Sequence, residues 1–171
     1  MGWIHLYTGD GEGKSTAALG LALRAIGHGK KVIVIEFMKG RKDIGEFKVQ
    51  NKLKPYYEIY QFGRKEFVDL KNPDVIDIDL ARKGLNFAKQ MLKKKPFLLI
   101  LEEINLAVHI GLLRIEDVLQ FLKEVPKETN VILTGRKAPR ELIQVADLVT
   151  EMKEIKHPYY QGVEGRKGID Y

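Results

Sequence analysis

Apolar positions along the chain fall into two alternating patterns. Short apolar runs rich in β-branched and aromatic residues occur at 3–7, 32–37, 56–62, 97–101, 131–133 and 148–152, which is typical of strands. Between them, apolar residues recur at steps of three and four, predicting helices that follow Gly13, span 78–92, and lie near 115–123 and 140–145. The alternation predicts an α/β fold with a mostly parallel sheet and helices on both faces.

Composition narrows the class of protein without choosing a function. The 171 residues suit a single domain over 1–171, and their net charge of +6 favours an anionic partner such as a nucleotide, a nucleic acid or a carboxylate-bearing substrate. Since the chain has no cysteine, disulfides, thiolate catalysis and cysteine-ligated metals are excluded. Its apolar runs are far shorter than the roughly 20 residues that span a bilayer, and no signal peptide is evident. We expect a cytoplasmic protein with no membrane partner.

The strongest motif lies between the first strand and the first helix. Residues 9–15 read Gly-Asp-Gly-Glu-Gly-Lys-Ser, which in this context is the pattern of a phosphate-binding loop. The glycines let backbone amides face phosphates, lysine adds a cation, and the serine hydroxyl is placed for Mg²⁺. Thr8 stands where the common pattern has glycine, and a plain glycine-rich helix cap is the alternative. The candidate nucleotide-binding residues are Gly9, Asp10, Gly11, Glu12, Gly13, Lys14 and Ser15.

Charged residues follow two later strands directly. Glu102 and Glu103 come after the run 97–101, and Arg136 follows 131–133 through Thr134 and Gly135. The carboxyl ends of parallel strands meet at one edge, where α/β proteins bind ligands. An acid there can hold Mg²⁺, and we expect only one of the two, because neighbouring strand residues point to opposite faces. Arg136 is placed to neutralise phosphate; an acidic strand end and a surface arginine are the alternatives.

The remaining charged segments are less specific. The basic stretch from Lys39 to Lys54 fits either the rim of an anionic substrate site or a solvated helix. Lys93 to Lys95 fit a solvated helix end better than a binding patch. The histidines have no metal-ligand spacing, and no Ser/His/Asp arrangement supports covalent hydrolysis.

Taken in order, these motifs and several others resemble one family nearly end to end, the ATP:corrinoid adenosyltransferases that carry a phosphate-binding loop. The matching pieces are Thr8 to Thr16, Arg24-Ala25 with Gly27-His28-Gly29, Phe37 to Gly40, Gly45-Glu46, Glu102 to Ile104, Thr134 to Arg136 with Ala138-Pro139, Ala146 to Met152, Lys156 to Tyr159, and Gly168 to Tyr171.

The resemblance implies a RecA-like sheet and transfer of the 5′-deoxyadenosyl group of ATP to the Co(I) of a reduced corrinoid, with release of tripolyphosphate. Because Co(I) is itself a strong nucleophile, the protein needs to position the ribose and stabilise the leaving triphosphate. It implies catalytic roles for Lys14 and Arg136, nucleotide contacts by the loop, Thr16 and Arg136, and Mg²⁺ held by Ser15 and Glu103 rather than Glu102. It also implies a homodimer and an electron-donating reductase.

Several positions depart from the family pattern. Glu12 replaces a commonly basic residue, Glu36 a frequent glutamine and Glu102 a frequent aspartate. The segment 61–67 lacks the phenylalanine and tryptophan that face the corrinoid in many members, leaving Phe62 and Phe67 as candidates. The chain also begins almost at the first strand, without the segment that covers the site in longer members.

Two other functions remain open at this point. One is a P-loop ATPase or kinase acting on another small molecule. The other is an ATP-gated module that binds nucleic acid, which the charge of +6 suggests. Nucleic-acid binding would call for aromatic residues among the basic ones, and Phe47 alone lies between Lys39 and Lys54. We therefore expect no nucleic-acid partner.

Overall fold

The computed structural model describes residues 2–171. Six parallel strands form one sheet in the order β3-β2-β4-β5-β1-β6. The strands are β1 (Ile4–Thr8), β2 (Val32–Phe37), β3 (Tyr57–Phe62), β4 (Leu98–Glu102), β5 (Asn130–Thr134) and β6 (Leu148–Glu151). All six predicted strands are confirmed, and every described pairing in the sheet is parallel.

Seven helices connect these strands. They are α1 (Lys14–Gly27), α2 (Gly45–Lys48), α3 (Gln50–Leu53), α4 (Val75–Met91), α5 (Ile104–His109), α6 (Ile115–Glu124) and α7 (Arg140–Val145). No helix is predicted from the sequence at 104–109, and the sequence leaves open whether 39–54 forms a solvated helix or the rim of an anionic substrate site. The latter segment forms a loop followed by the short helices α2 and α3.

Helices cover both faces of the sheet, as predicted. On one face, β2 residues such as Val32 and Val34 pack with the alanine side of α1 and with residues of α3. On the other face, alternate β2 residues such as Ile33 and Ile35 belong to a core cluster that also includes residues of α4, α5, α6 and α7. Burial on both sides explains why β2 and β4 are nearly continuous apolar runs in the sequence.

Glycine allows α4 to pack closely on the edge of the sheet. A Cβ placed on Gly84 would lie 2.9 Å from the Phe37 ring and 3.1 Å from Phe62. Phe62 also packs against Phe87 of α4, with ring centroids 5.3 Å apart.

The chain leaves the sheet after β6, and residues 152–171 form a tail whose regular structure is one turn of 3-10 helix at Pro158–Gln161. His157 at the start of this turn lies 2.7 Å from Glu12 of the phosphate-binding loop. At the far end, the guanidinium of Arg41 lies 5.0 Å from the centre of the Tyr171 ring. The tail therefore contacts loops that follow both β1 and β2. No helix within residues 2–171 is long and apolar enough to span a bilayer.

Candidate active site at the carboxyl edge of the sheet

The loop at 9–13 is held tightly between β1 and the segment after β6. Gly9 and Gly13 have φ angles of 95° and 108°, a region that favours glycine. A Cβ on Gly9 would lie 2.3 Å from the carbonyl oxygen of Met152. The Gly11 amide donates a hydrogen bond to that same oxygen at 2.8 Å. These glycines therefore permit a close backbone approach that a larger residue would block.

Lys14 is the first residue of α1 and is only 9% exposed. Its Nζ donates to the carbonyl oxygens of Gly9 at 2.8 Å and Gly11 at 2.6 Å, so the ammonium lies against the loop's own backbone. Burial lowers the pKa of Lys14; the carboxylate of Glu103 opposes this shift, and the charge of Arg136 adds to it. The predicted loop lysine, acid and arginine thus come close enough to influence one another.

Glu102 ends β4 and is 3% exposed. Its carboxylate accepts hydrogen bonds from the hydroxyl of Ser15, the hydroxyl of Thr134 at 2.5 Å and Nζ of Lys39 at 3.1 Å. A buried carboxylate is tolerated only with partners of this kind. The Ser15 hydroxyl therefore contacts Glu102, while the sequence interpretation paired Ser15 with Glu103 as the metal ligands.

Lys39 follows β2 and forms ion pairs with two buried acids. Its Nζ lies 3.1 Å from Glu102 and 3.7 Å from Glu36. Although burial opposes it, the charges of Glu102 and Glu36 raise the pKa of Lys39. Glu36 is 1% exposed, and burial raises its pKa to about 7 even though Lys39 and a hydrogen bond from Gln61 act in the opposite direction.

Glu103 lies just beyond the strand, with a φ of 64° at the start of α5. Its amide donates to the Thr134 hydroxyl at 3.0 Å, and its Oε2 is buried without a hydrogen-bond partner within residues 2–171. Burial and the neighbouring Glu102 raise the pKa of Glu103. Since strand alternation ends at Glu102, it does not separate the two acids as expected. The charges of both carboxylates raise the pKa of Lys14, against the effect of burial.

Arg136 projects from the loop after β5 and is exposed. Across residues 2–171, the Arg136 guanidinium makes no ion pair and no side-chain hydrogen bond. Behind this loop, the fully buried Asn105 donates to the carbonyl oxygens of Tyr7 and Gly135, both at 3.2 Å. The Thr8 hydroxyl accepts from the Ala138 amide at 3.1 Å. These contacts join the arginine loop to the start of the phosphate-binding loop.

The other predicted loop residues lie at the surface. Asp10, Glu12 and Thr16 are exposed, and the Glu12 carboxylate contacts His157 of the tail. The sequence assigns no role to His157, and in the structure its ring contacts the phosphate-binding loop.

A cleft of about 340 Å³ opens beside Lys39, between the loops that follow β2 and β3. Met38, Arg64, Phe67 and Tyr171 contribute to its lining. Phe67 is 97% exposed, whereas Phe62 packs on Phe87. Of the two aromatic candidates, Phe67 is the one that lines this cleft.

Three polar residues of this edge, two of them buried, were not among the predicted site residues. Glu36 and Lys39 were noted only as a departure and as part of a basic stretch, and Asn105 belongs to a helix that was not predicted. The signal available for Lys39 was its position directly after a parallel strand, as for Arg136 and the acids.

The chain combines a parallel sheet, a glycine-rich loop between β1 and α1, a lysine at the first position of α1, and acids at the end of β4. This combination defines a P-loop nucleotide-binding protein. The family model for ATP:corrinoid adenosyltransferase BtuR/CobO/CobP matches residues 1–171. The chain belongs to this family, whose activity is the ATP-dependent adenosylation of corrinoids.

Individual relatives agree with this assignment. The corrinoid adenosyltransferase of Escherichia coli is 39% identical over 99% of this chain and 86% of its own length. That of a Sinorhizobium species is 36% identical over 99% of this chain and 80% of its own length. The Salmonella typhimurium protein named corrinoid adenosyltransferase CobA is 36% identical over 99% and 86%. The resemblance and the enzyme class inferred from the sequence are confirmed.

The raised pKa of Glu36 predicts a pH-dependent stability. In the unfolded chain the carboxyl loses its proton near its ordinary value of 4.5, but in the folded chain it does so at about 7. The folded state therefore holds more protons between these values, and the free energy of unfolding falls as pH rises through them. We expect Glu36→Gln to remove this loss, making the variant more stable than the parent at pH 8 by up to about 3 kcal/mol.

Urea unfolding at pH 4.5 and pH 8 measures this difference. Glu141→Gln, which removes an exposed carboxyl, is the matched control. Because this carboxyl is not buried, the variant should not show the pH-dependent gain in stability. A difference between Glu36→Gln and the parent that stays the same at both pH values would contradict the assignment.

Proposed function

We propose that this edge of the sheet catalyses adenosyl transfer with the triphosphate of ATP held by the loop at 9–13, Lys14, Ser15, Thr16 and Arg136. In the reaction, the electron pair of Co(I) forms a bond to C5′ of the ribose, and the bond between C5′ and its oxygen breaks. That oxygen keeps the bonding electrons as tripolyphosphate leaves. The main chemical demand on the protein is to orient C5′ and to stabilise the negative charge that grows on the leaving group.

The observation that carries this proposal is that two cations, Lys14 and Arg136, lie at the same edge of the sheet in different environments. Lys14 is buried and bonded only to loop carbonyls, so phosphate oxygens can replace those weak partners. Arg136 is exposed and its planar guanidinium can bind two phosphate oxygens at once. Backbone amides at the start of α1 add to this positive environment. Together they surround a polyanion from the loop side and from the β5 side.

Mg²⁺ fits the acidic part of the same edge. Glu103 offers a buried carboxylate oxygen without a hydrogen-bond partner, and Ser15 offers a hydroxyl directly after Lys14. Mg²⁺ is ordinarily held by one or two carboxylates together with substrate phosphates, and when bound it would neutralise triphosphate charge. Glu102 is less available, because Ser15, Thr134 and Lys39 already satisfy it. We therefore assign Ser15 and Glu103 as the protein's metal ligands.

The cleft beside Lys39 is the site that we assign to the corrinoid. It adjoins the acidic edge, and apolar and cationic side chains, including Met38, Phe67 and Arg64, line it together with three acidic ones. A corrinoid presents an apolar ring edged with amide or carboxylate groups, and this lining suits both parts. Phe67 would then occupy the position of an aromatic residue facing the ring.

Three expectations from the sequence remain predictions. Two are implied by the family resemblance, the homodimer and the reductase that supplies the electron to cobalt, and the third is the cytoplasmic location inferred from composition. Light scattering of the purified chain measures the first directly: a mass of two chains is expected, and a mass of one chain would contradict it.

Removing either cation should slow adenosyl transfer. We expect Arg136→Gln to lower kcat by about 10²-fold or more, and Lys14→Ala to raise the activation free energy by on the order of 3 kcal/mol, as for the loss of other preorganised charge-stabilising groups. The measurement is the absorbance change of chemically reduced cobalamin with ATP and Mg²⁺ in the dark. Lys137→Gln removes the neighbouring exposed cation and is the matched control, with turnover expected within about twofold of the parent. Equal rates for Arg136→Gln and Lys137→Gln would contradict the assignment of Arg136.

The two acids should respond differently to Mg²⁺ concentration. Glu103→Gln is expected to raise the Mg²⁺ concentration for half-maximal activity by about tenfold, since it removes one charged ligand. Glu102→Gln is expected to lower the urea midpoint of unfolding instead, because it weakens three contacts of a buried carboxylate. A Mg²⁺ requirement that shifts with Glu102→Gln and not with Glu103→Gln would reverse the assignment.

A further inference from the structure

A second cavity lies at the opposite edge of the sheet from the phosphate-binding loop. It has a volume of about 330 Å³ and is formed by the amino-terminal ends of β1, β4 and β5 and the last turns of α1. Leu21, Ala25, Leu98 and Ile132 supply apolar surface. Cavities of this size with a mainly apolar lining are typical of small-molecule sites. Nothing in the proposed reaction uses this cavity.

The polar groups around this cavity are basic. Arg24, His28 and Lys30 line it, and none of its ten lining residues carries a carboxylate. Arg24 has no ion pair within residues 2–171, and the ammonium of Lys30 lies 5.5 Å from the centre of the Phe97 ring. Cations at the end of α1 also favour the helix dipole. That effect alone, however, does not require them to surround an apolar cavity.

The frame of the cavity is built from fixed contacts. Asn130 accepts a hydrogen bond from the Trp3 amide at 3.1 Å and donates to the carbonyl oxygen of Phe97 at 3.1 Å. His5 forms part of the wall, and its buried Nδ1 has no hydrogen-bond partner within residues 2–171. The apolar surface therefore belongs to packed strands.

We propose that this cavity binds a small amphipathic anion, an apolar ring or branched chain that carries one acidic group. The apolar part packs against Leu21, Ala25 and Ile132. The acidic group lies at the rim, where Arg24 and Lys30 supply opposite charge. Charge complementarity is what selects such a ligand over a neutral apolar one, because the side chains that line the cavity include cations and no carboxylate.

Anilinonaphthalene sulfonate, an aromatic anion that fluoresces in apolar surroundings, is a suitable probe. It is titrated into the full chain with ATP and Mg²⁺ at saturating concentration, so that the phosphate-binding loop is filled. We expect saturable binding, weakened about fivefold by Arg24→Gln and again by Lys30→Gln, which is the loss expected for one partly exposed charge pair. Lys31→Gln, which removes the adjacent exposed cation outside the cavity, is the matched control and should leave the affinity unchanged.

The neutral analogue phenylnaphthylamine separates charge from apolar contact. Its affinity should be the same for the parent, Arg24→Gln and Lys30→Gln, while adenosyl transfer by all three stays at the parent rate and verifies their fold. Absence of saturable binding, or equal weakening of the anionic probe by Lys31→Gln, would overturn the proposal. So would a change of oligomeric state in Arg24→Gln or Lys30→Gln by light scattering, because the cavity would then belong to an interface between copies of the chain.

Discussion

The buried carboxylate of Glu102 is the interaction on which the carboxyl edge of the sheet depends. A charged group that is 3% exposed must be paired, and the partners of Glu102 come from three different parts of the chain. Ser15 lies at the start of α1, Lys39 follows β2 and Thr134 ends β5. One carboxylate thereby fixes the phosphate-binding loop, the β2 loop and the β5 loop relative to one another.

Charge is distributed over this edge in a way that suits the departure of a polyanion. The Glu36, Lys39 and Glu102 network is internally paired, while Arg136 is free of ion pairs within residues 2–171 and Lys14 contacts only backbone carbonyls. The buried acids thus pair with Lys39, and Lys14 and Arg136 are the two cations that the proposal assigns to phosphate. In the proposed reaction the reduced corrinoid brings its own nucleophile, so the protein has to supply orientation and charge stabilisation rather than a general base. The absence of cysteine from the sequence is compatible with this division of work.

Much of the fold could be predicted because its determinants are local. Continuous apolar runs predicted β2 and β4, and the glycine-rich loop between β1 and α1 was evident from residue types alone. The α5 helix was missed because it has only six residues and begins directly after two acids. The pairing of Ser15 and Lys39 with Glu102 could not be read from the sequence, since it depends on the order of β2, β4, β5 and β1 in the sheet. The alternation rule failed at Glu103, because its left-handed backbone, with φ of 64°, lies outside the strand.

In the proposed reaction, the loop at 9–13 holds a triphosphate that leaves intact while C5′ is transferred. The direct measurement is phosphorus NMR of a reaction containing the protein, ATP, Mg²⁺ and chemically reduced cobalamin. We expect tripolyphosphate equal in amount to the alkylated corrinoid, and no product without the corrinoid. Orthophosphate and ADP released at the same rate with and without cobalamin would contradict it and indicate an ATPase.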